Sequence, residues 1–127
     1  MHSQSHRRQR VAELLKRELA HLIQHELSDP RVHGVTLTAA EVARDLSTAK
    51  IYLTCLAGPD GAKQGVVALN KASGFLRRQL RHRLVLRSIP QLHFFYDESV
   101  EKGAALSNLI DRAVADDSQQ DVDQEVT

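Results

Sequence analysis

The chain has 127 residues, of which 42% are hydrophobic and 26% charged, a composition typical of one globular domain and not of a disordered or fibrous chain. No apolar run approaches the roughly 20 residues that a membrane-spanning helix needs, and the polar, basic N-terminus has no segment resembling a signal peptide. A single cysteine, Cys55, excludes an internal disulfide, so we expect a cytoplasmic protein.

The net charge of +1 conceals a separation of charge along the chain. Residues 113–127 hold five acids and no base, so the preceding part carries all 17 bases against 11 acids. A basic body followed by an acidic tail favours a polyanionic partner over a merely solvated surface.

The first predicted element is an amphipathic helix from about Arg8 to Leu27. It ends at Ser28-Asp29-Pro30 because proline lacks the amide proton and disfavours helical geometry in the residue before it. Its apolar positions recur at spacings of three and four on one face: Val11, Leu14, Leu15, Leu19, Leu22, Ile23 and Leu27.

Two segments that alternate apolar and polar residues follow, separated by a turn at residues 44–47. This pattern, rich in β-branched residues, predicts an antiparallel hairpin with one buried face. The apolar positions are Val35, Leu37 and Ala39 in the first strand and Ala49, Ile51, Leu53 and Cys55 in the second.

After a loop rich in glycine and proline, a short helix is predicted at residues 66–71. The segment 71–87, KASGFLRRQLRHRLVLR, continues it with six bases and no acid. Leu76, Leu80 and Leu84 are spaced to face the core, and the advance of about 100° per residue turns the bases to the other side. Three arginines share that exposed side and suit phosphate recognition: Arg77, Arg78 and Arg81.

Ile89-Pro90 ends the helical region, and QLHFFYD predicts a third strand with Leu92, Phe94 and Tyr96 on one face. Ser99 is a candidate N-cap for a last helix, and the tail from Asp116 is predicted to be disordered. The apolar positions of that last helix are Leu106, Leu109, Ile110 and Ala113.

These elements predict an α+β fold in which an antiparallel sheet of three strands is packed on one face by helices. The order strand, helix, helix, strand is that of a type II KH domain, which holds a nucleic-acid backbone at the junction of the two helices. The predicted organisation is a flexible basic leader at residues 1–8, one domain at residues 9–114 and a disordered acidic tail at residues 115–127.

No catalytic or metal-binding motif emerges from the sequence, so we expect neither an enzyme nor a cofactor. His21 and His25 lie four residues apart on the first helix, but the two further ligands that a metal site needs are missing. Asp97 and Glu98 are explained by a helix start, where negative charge is favourable. The scarcity of aromatic residues argues against a base-stacking surface and for recognition of charge and shape.

Several stretches resemble the ribosome-binding factor A family in the same order along the chain. They are RVAELLKRELAHLIQHELSDPRVHGVTLT, DLSTAKIYLT, LNKASGFLRRQL and IPQLHFFYDESVEKGAALSNLID. The resemblance covers nearly the whole folded part and leaves out only the leader and the acidic tail.

The resemblance implies a bacterial cytoplasmic assembly factor with a KH-like (type II) fold and no cofactor. Such factors bind the free small (30S) ribosomal subunit, assist its late maturation and the processing of the 5′ end of its 16S rRNA, and support growth in the cold. An assembly GTPase is expected to assist their release. Since no heptad or exposed apolar strip demands a dimer, a monomer is expected.

The resemblance also implies a kinked helix at Ala72-Ser73-Gly74, which matches the family's Ala-x-Gly and stands where other KH domains carry GxxG. The expected RNA-binding residues lie at this kink, on the basic helix and near the N-terminus: Arg7, Arg8, Arg10, Lys71, Ser73, Gly74, Arg77, Arg78 and Arg81.

Three alternatives stay open from the sequence alone. The first is a general RNA- or DNA-binding KH-like module that is not tied to ribosome assembly. The second is an RNA hydrolase that uses Asp97, Glu98 and a histidine. The third is an adaptor that acts through its acidic tail.

Overall fold

The structure, a computed structural model, describes residues 2–99. The chain divides into two compact units, residues 1–96 and residues 97–127, and the fold described below belongs to the first. The predicted last helix and the predicted acidic tail lie outside the described residues, apart from the candidate N-cap Ser99.

Helix α1 spans His2–Glu26, so it includes residues 2–8 of the predicted leader. The predicted apolar stripe is confirmed, since Leu15, Leu19 and Leu22 are completely buried. A 3-10 turn at Pro30–Val32 follows. Asp29 caps this turn, because its carboxylate accepts a hydrogen bond of 2.9 Å from the backbone N–H of Arg31.

Strands β1 (Val35–Val42) and β2 (Thr48–Cys55) form the predicted antiparallel hairpin. The pairing shifts by one residue between Leu37, which faces Leu53, and Ala39, which faces Tyr52. This β-bulge moves the following residues to the opposite faces of the strand. The prediction that Ala39 shares the face of Leu37 is therefore wrong, and Ala40 packs against the core in its place.

Helices α2 (Pro59–Lys71) and α3 (Ser73–Arg83) connect β2 to β3 (Gln91–Tyr96). Strand β3 lies beside β2 in parallel, and the strand order is β1-β2-β3. The expectation of a wholly antiparallel sheet is thus wrong. The physical reason is that two helices return the chain to the end of the sheet where β2 began, which is the usual geometry of a parallel crossover.

The core lies between one face of the sheet and the helices. Its fully buried side chains come from the sheet and from all three helices, which is the predicted α+β layering. They include Ile51, Leu53 and Phe94 from the strands and Leu15, Leu19, Leu22, Leu69, Leu76 and Leu80 from the helices. Within residues 6–99, no polar or charged residue is buried.

Candidate nucleic-acid interface

The candidate site is centred on the junction between α2 and α3. The two helices are separated by Ala72 alone, and Lys71 is the last residue of α2. In α3, Leu76 and Leu80 are buried as predicted, and Leu84 is buried just after the helix. Because these apolar positions recur every four residues, Arg78 and Arg81 are directed to the exposed side.

Gly74 lies in the first turn of α3, is exposed, and has no positive φ. A Cβ atom at this position would have one described neighbour within 4 Å, a guanidinium nitrogen (Nη1) of Arg78 at 3.8 Å. This is an ordinary van der Waals distance, so the fold has room for a side chain there. The packing of the described residues therefore does not account for a glycine at this position.

Arg77 differs from the two arginines beside it. Its Nε donates a hydrogen bond of 3.1 Å to the carbonyl of Pro90, and its Nη2 donates one of 2.9 Å to the carbonyl of Ile89. The side chain is half-buried against the segment that enters β3. Arg77 thus has a structural role, and its charge is directed to these two carbonyls instead of to the surface formed by Arg78 and Arg81.

Arg83 is also engaged within the fold. Its Nε donates to a carboxylate oxygen of Glu18 at 2.8 Å, which links α3 to α1. The two residues are 65 positions apart, so no local pattern in the sequence could have indicated this pair.

A shallow cavity of about 410 Å³ lies beside the junction, and both Lys71 and Arg31 line it. Sequence analysis did not identify Arg31 as part of the site. Its guanidinium donates to the carboxylate of Asp29 through two nitrogens, with a shortest distance of 2.7 Å. These bonds lower the pKa of Asp29 from 3.8 to about 2, so the carboxylate stays ionised and balances the charge of Arg31.

Arg7 and Arg8 of the predicted leader, and Arg10 just after it, all lie on α1. Arg8 is half-buried and lines a cavity with Ala40 and Val42 of β1. Arg10 is exposed and lines another cavity with Leu14 and Arg17. Arg7 is exposed. Arg8 is thus directed toward β1, whereas Arg7 and Arg10, three positions apart on α1, lie on the same side of the helix.

The structure also places the two histidines of α1 and the single cysteine. The rings of His21 and His25 lie 4.4 Å apart on α1, and both residues are exposed. In the part of the chain that the structure describes, no three histidine, cysteine or acidic residues are grouped in a way that could hold a metal ion. The thiol of Cys55 lies 3.6 Å from the carbonyl of His33.

None of the helices among residues 2–99 is long and apolar enough to cross a membrane.

We name Lys71, Ser73, Gly74, Arg78 and Arg81 the junction surface. The described residues form a small α+β protein that exposes bases around a helix junction, an arrangement typical of nucleic-acid-binding domains.

Comparison with known proteins defines the family. The model of the family Ribosome-binding factor A matches residues 7–110. Ribosome-binding factor A of Pseudomonas fluorescens (strain SBW25) is 56% identical over 116 residues, which cover 89% of this chain and 88% of the relative. The chain therefore belongs to the ribosome-binding factor A family, as its sequence motifs predicted.

Structural comparisons agree with this assignment. The crystal structure of ribosome-binding factor A from Thermus thermophilus is 30% identical with a TM-score of 0.63, and the match covers 70% of this chain and 93% of that chain. A homology model of the Thermus thermophilus factor, fitted into a cryo-EM map of a 30S complex, is 32% identical with a TM-score of 0.57. That match covers 68% of this chain and 91% of the other.

Proposed function

We propose that this protein binds the free small ribosomal subunit through the junction surface and assists late maturation of the subunit, including processing of the 5′ end of its 16S rRNA. The observation that carries the proposal is the similarity to a factor fitted into a map of a 30S complex. Exposed Arg78 and Arg81 on α3 supply the forked donors that suit phosphate oxygens.

The arrangement β2-α2-α3-β3 supports a type II KH-like interpretation of the fold, with the break at Ala72 as the kink between the two KH helices. In this proposal the RNA backbone approaches the start of α3. Gly74 leaves space there, and Ser73 can contribute a hydroxyl group. Arg7, Arg8 and Arg10 lie toward the other end of α1 from the junction, so in this proposal they bind phosphates at a separate position on the RNA. We exclude Arg77 because its donors are bonded to Ile89 and Pro90.

The wider cellular role follows from the same proposal. The protein acts in the cytoplasm as a monomer, without a cofactor or catalytic activity, and supports ribosome assembly in the cold. An assembly GTPase assists its release once the subunit has matured. Recognition rests on phosphate charge and RNA shape, since Phe75, the aromatic residue at the start of α3, is partly buried and packs against the core.

The decisive test compares two double charge reversals. Arg78→Glu/Arg81→Glu changes the junction surface, and Arg44→Glu/Lys63→Glu makes the same change in net charge at exposed positions in the hairpin turn and on α2. Each protein is co-sedimented with purified small subunits, large subunits and duplex DNA across a salt series. We expect the first variant to bind small subunits at least about tenfold more weakly. The slope of its log binding constant against log salt concentration should fall by the amount that about two phosphate contacts contribute.

The control variant should bind small subunits like the wild type. Equal loss in both variants would show that only net charge matters and would contradict the junction surface. Equal binding of the wild type to all three particles would favour the general nucleic-acid-binding module instead.

A further inference from the structure

The two edges of the sheet differ in whether their outward-facing backbone N–H and C=O groups are hydrogen-bonded. At the β3 edge, Asn70 exchanges two hydrogen bonds with the backbone of Phe94, at 2.9 and 3.1 Å. Arg77 donates hydrogen bonds to the carbonyls of Ile89 and Pro90 just before this strand. Side chains of α2 and α3 thus close this edge against further strand pairing.

Among residues 2–99, no strand pairs with the outer edge of β1 at its beginning. Gly34 accepts a hydrogen bond of 3.0 Å from the N–H of Leu56, so Gly34 and Thr36 direct their backbone groups toward β2. Since these groups alternate in direction along a strand, the N–H and C=O groups of Val35 and Leu37 point away from the sheet. Within the described part of the chain, β1 pairs with no strand other than β2, and no backbone hydrogen bond outside the sheet ladder involves Val35 or Leu37.

A cavity of about 490 Å³ runs along this part of the edge, between β1 and α1. We name it the edge groove. Exposed Ala20 and Gln24 stand on its α1 side. Its lining contains no lysine, arginine, aspartate or glutamate: Ala20, Ile23, Gln24, Val32, His33, Gly34, Val35, Thr36 and Leu37.

An exposed leucine stands beside the edge groove. Leu56 is 92% exposed, although its backbone is bonded to Gly34, which lines the groove. A Cβ atom on Gly34 would lie 3.5 Å from the Cβ of Leu56. An exposed large apolar residue next to an apolar groove is a feature of protein-binding sites.

We propose that the edge groove binds an extended segment of another protein by strand addition to β1. The segment pairs its backbone with Val35 and Leu37, and it places alternate small apolar side chains in the groove against Ile23 and Val32. Polypeptide is favoured over RNA because the groove lining contains no lysine or arginine to neutralise phosphates. This interaction is additional to the proposed binding of the small subunit.

The β-bulge limits the length of the recognised segment. The regular register of β1 is interrupted between Leu37 and Ala39, so an added strand can pair regularly only up to Leu37. An added strand rises about 3.4 Å per residue, as β1 does. To pair with the two outward-facing residues of β1, it therefore needs only about four to five residues. The geometry therefore points to a short linear motif and not to a complete folded domain.

The test uses the full chain and a library of random dodecapeptides displayed on phage. An enriched peptide is titrated into ¹⁵N-labelled protein, and amide shifts and hydrogen exchange are recorded. Ala20→Arg places a long charged side chain at the groove, and Gln64→Arg adds the same charge at an exposed position of α2 outside the groove. Both positions are helical and exposed, so neither variant disturbs the core.

We expect enriched peptides with alternating apolar residues that shift the amides of residues 32–37 and slow the exchange of the Val35 and Leu37 amides. Ala20→Arg should weaken this binding at least about tenfold, and Gln64→Arg should leave it unchanged. The proposal is overturned if no enriched peptide loses affinity for Ala20→Arg. It is equally overturned if a uridine oligonucleotide shifts the same amides, or if protein concentration alone shifts them, since RNA or a second copy would then be the occupant.

Discussion

At the scale of single residues, position within the fold decides what each base can do. Arg77, Arg78 and Arg81 are equivalent in the sequence pattern, yet Arg77 donates to the carbonyls of Ile89 and Pro90 while the other two are exposed. A charged donor that satisfies two backbone carbonyls contributes to stability. Its replacement leaves those acceptors without a partner.

We therefore expect Arg77→Ala to lower the free energy of unfolding by about 2–3 kcal/mol. Arg78→Ala, at an exposed position of the same helix, should change it by less than about 0.5 kcal/mol. Urea unfolding followed by circular dichroism measures both. Equal stability of the two variants would show that the Arg77 hydrogen bonds do not contribute to the fold. Because of this difference, a charge-reversal test of RNA binding must leave Arg77 in place.

Asp29 provides a second prediction at this scale, through its lowered pKa. In the folded protein, hydrogen bonds from Arg31 keep the pKa at about 2, against an ordinary value of 3.8. As pH falls, the unfolded chain takes up the proton first, so the stabilising contribution is complete above 3.8 and is lost on acidification toward about 2.

The variant Asp29→Asn keeps an oxygen that can cap the 3-10 turn but cannot titrate. We expect the wild type to be more stable than this variant at about pH 5 and the difference to shrink at about pH 2. Urea unfolding at both pH values measures it. The contribution is modest because the pair is partly exposed. A difference that is constant with pH would contradict the assigned role of the Asp29 carboxylate.

At the scale of elements, the two helices between β2 and β3 contain glycines with different roles. Gly65 is buried in α2, where a Cβ atom would lie 3.0 Å from a methyl carbon of Val35 and 3.3 Å from the carbonyl oxygen of Arg31. Gly65 therefore allows α2 to pack closely on its neighbours. Gly74 has space around it, and its helical position costs stability compared with alanine.

We expect Gly74→Ala to raise the free energy of unfolding by about 0.5–1 kcal/mol and yet to weaken binding to small subunits. The physical reason is that the added methyl group favours α3 but keeps a phosphate away from the backbone. Thermal unfolding and co-sedimentation measure the two effects. Gly65→Ala is the matched variant and should be destabilised because its methyl group meets Val35. Unchanged binding by Gly74→Ala would argue against close approach of RNA at the start of α3.

The elements also show how far sequence patterns extend. The spacing of leucines correctly predicted the buried faces of α1 and α3, because a helix repeats its geometry without interruption. In β1 the alternation of Val35, Leu37 and Ala39 continued in the sequence beyond the point where the register shifts. A bulge is set by pairing with the neighbouring strand, so the alternation within one strand did not reveal it.

At the scale of the whole molecule, the distribution of charge was evident from composition, but its pairing was not. Up to Tyr96 the chain has 15 bases and 7 acids. Among the described residues, the pairs Arg31–Asp29 and Arg83–Glu18 commit two of these bases to ion pairs inside the fold. Arg77 is committed to carbonyl groups. The bases left on the junction surface are therefore fewer than the basic segment suggested.

The sequence by itself determined the α+β class, the order of the elements, the apolar faces of α1 and α3 and the family. These features depend on periodicity, chain breakers and motifs, which are local properties of a sequence. Tertiary structure alone decided that β3 runs parallel to β2, that Arg77 bonds to Ile89 and Pro90, and that Asn70 bonds to the backbone of Phe94 at one sheet edge. Each of these depends on contacts between residues that are at least twelve positions apart. The folded chain brings such residues together, and the spacing of residues within one element contains no information about them.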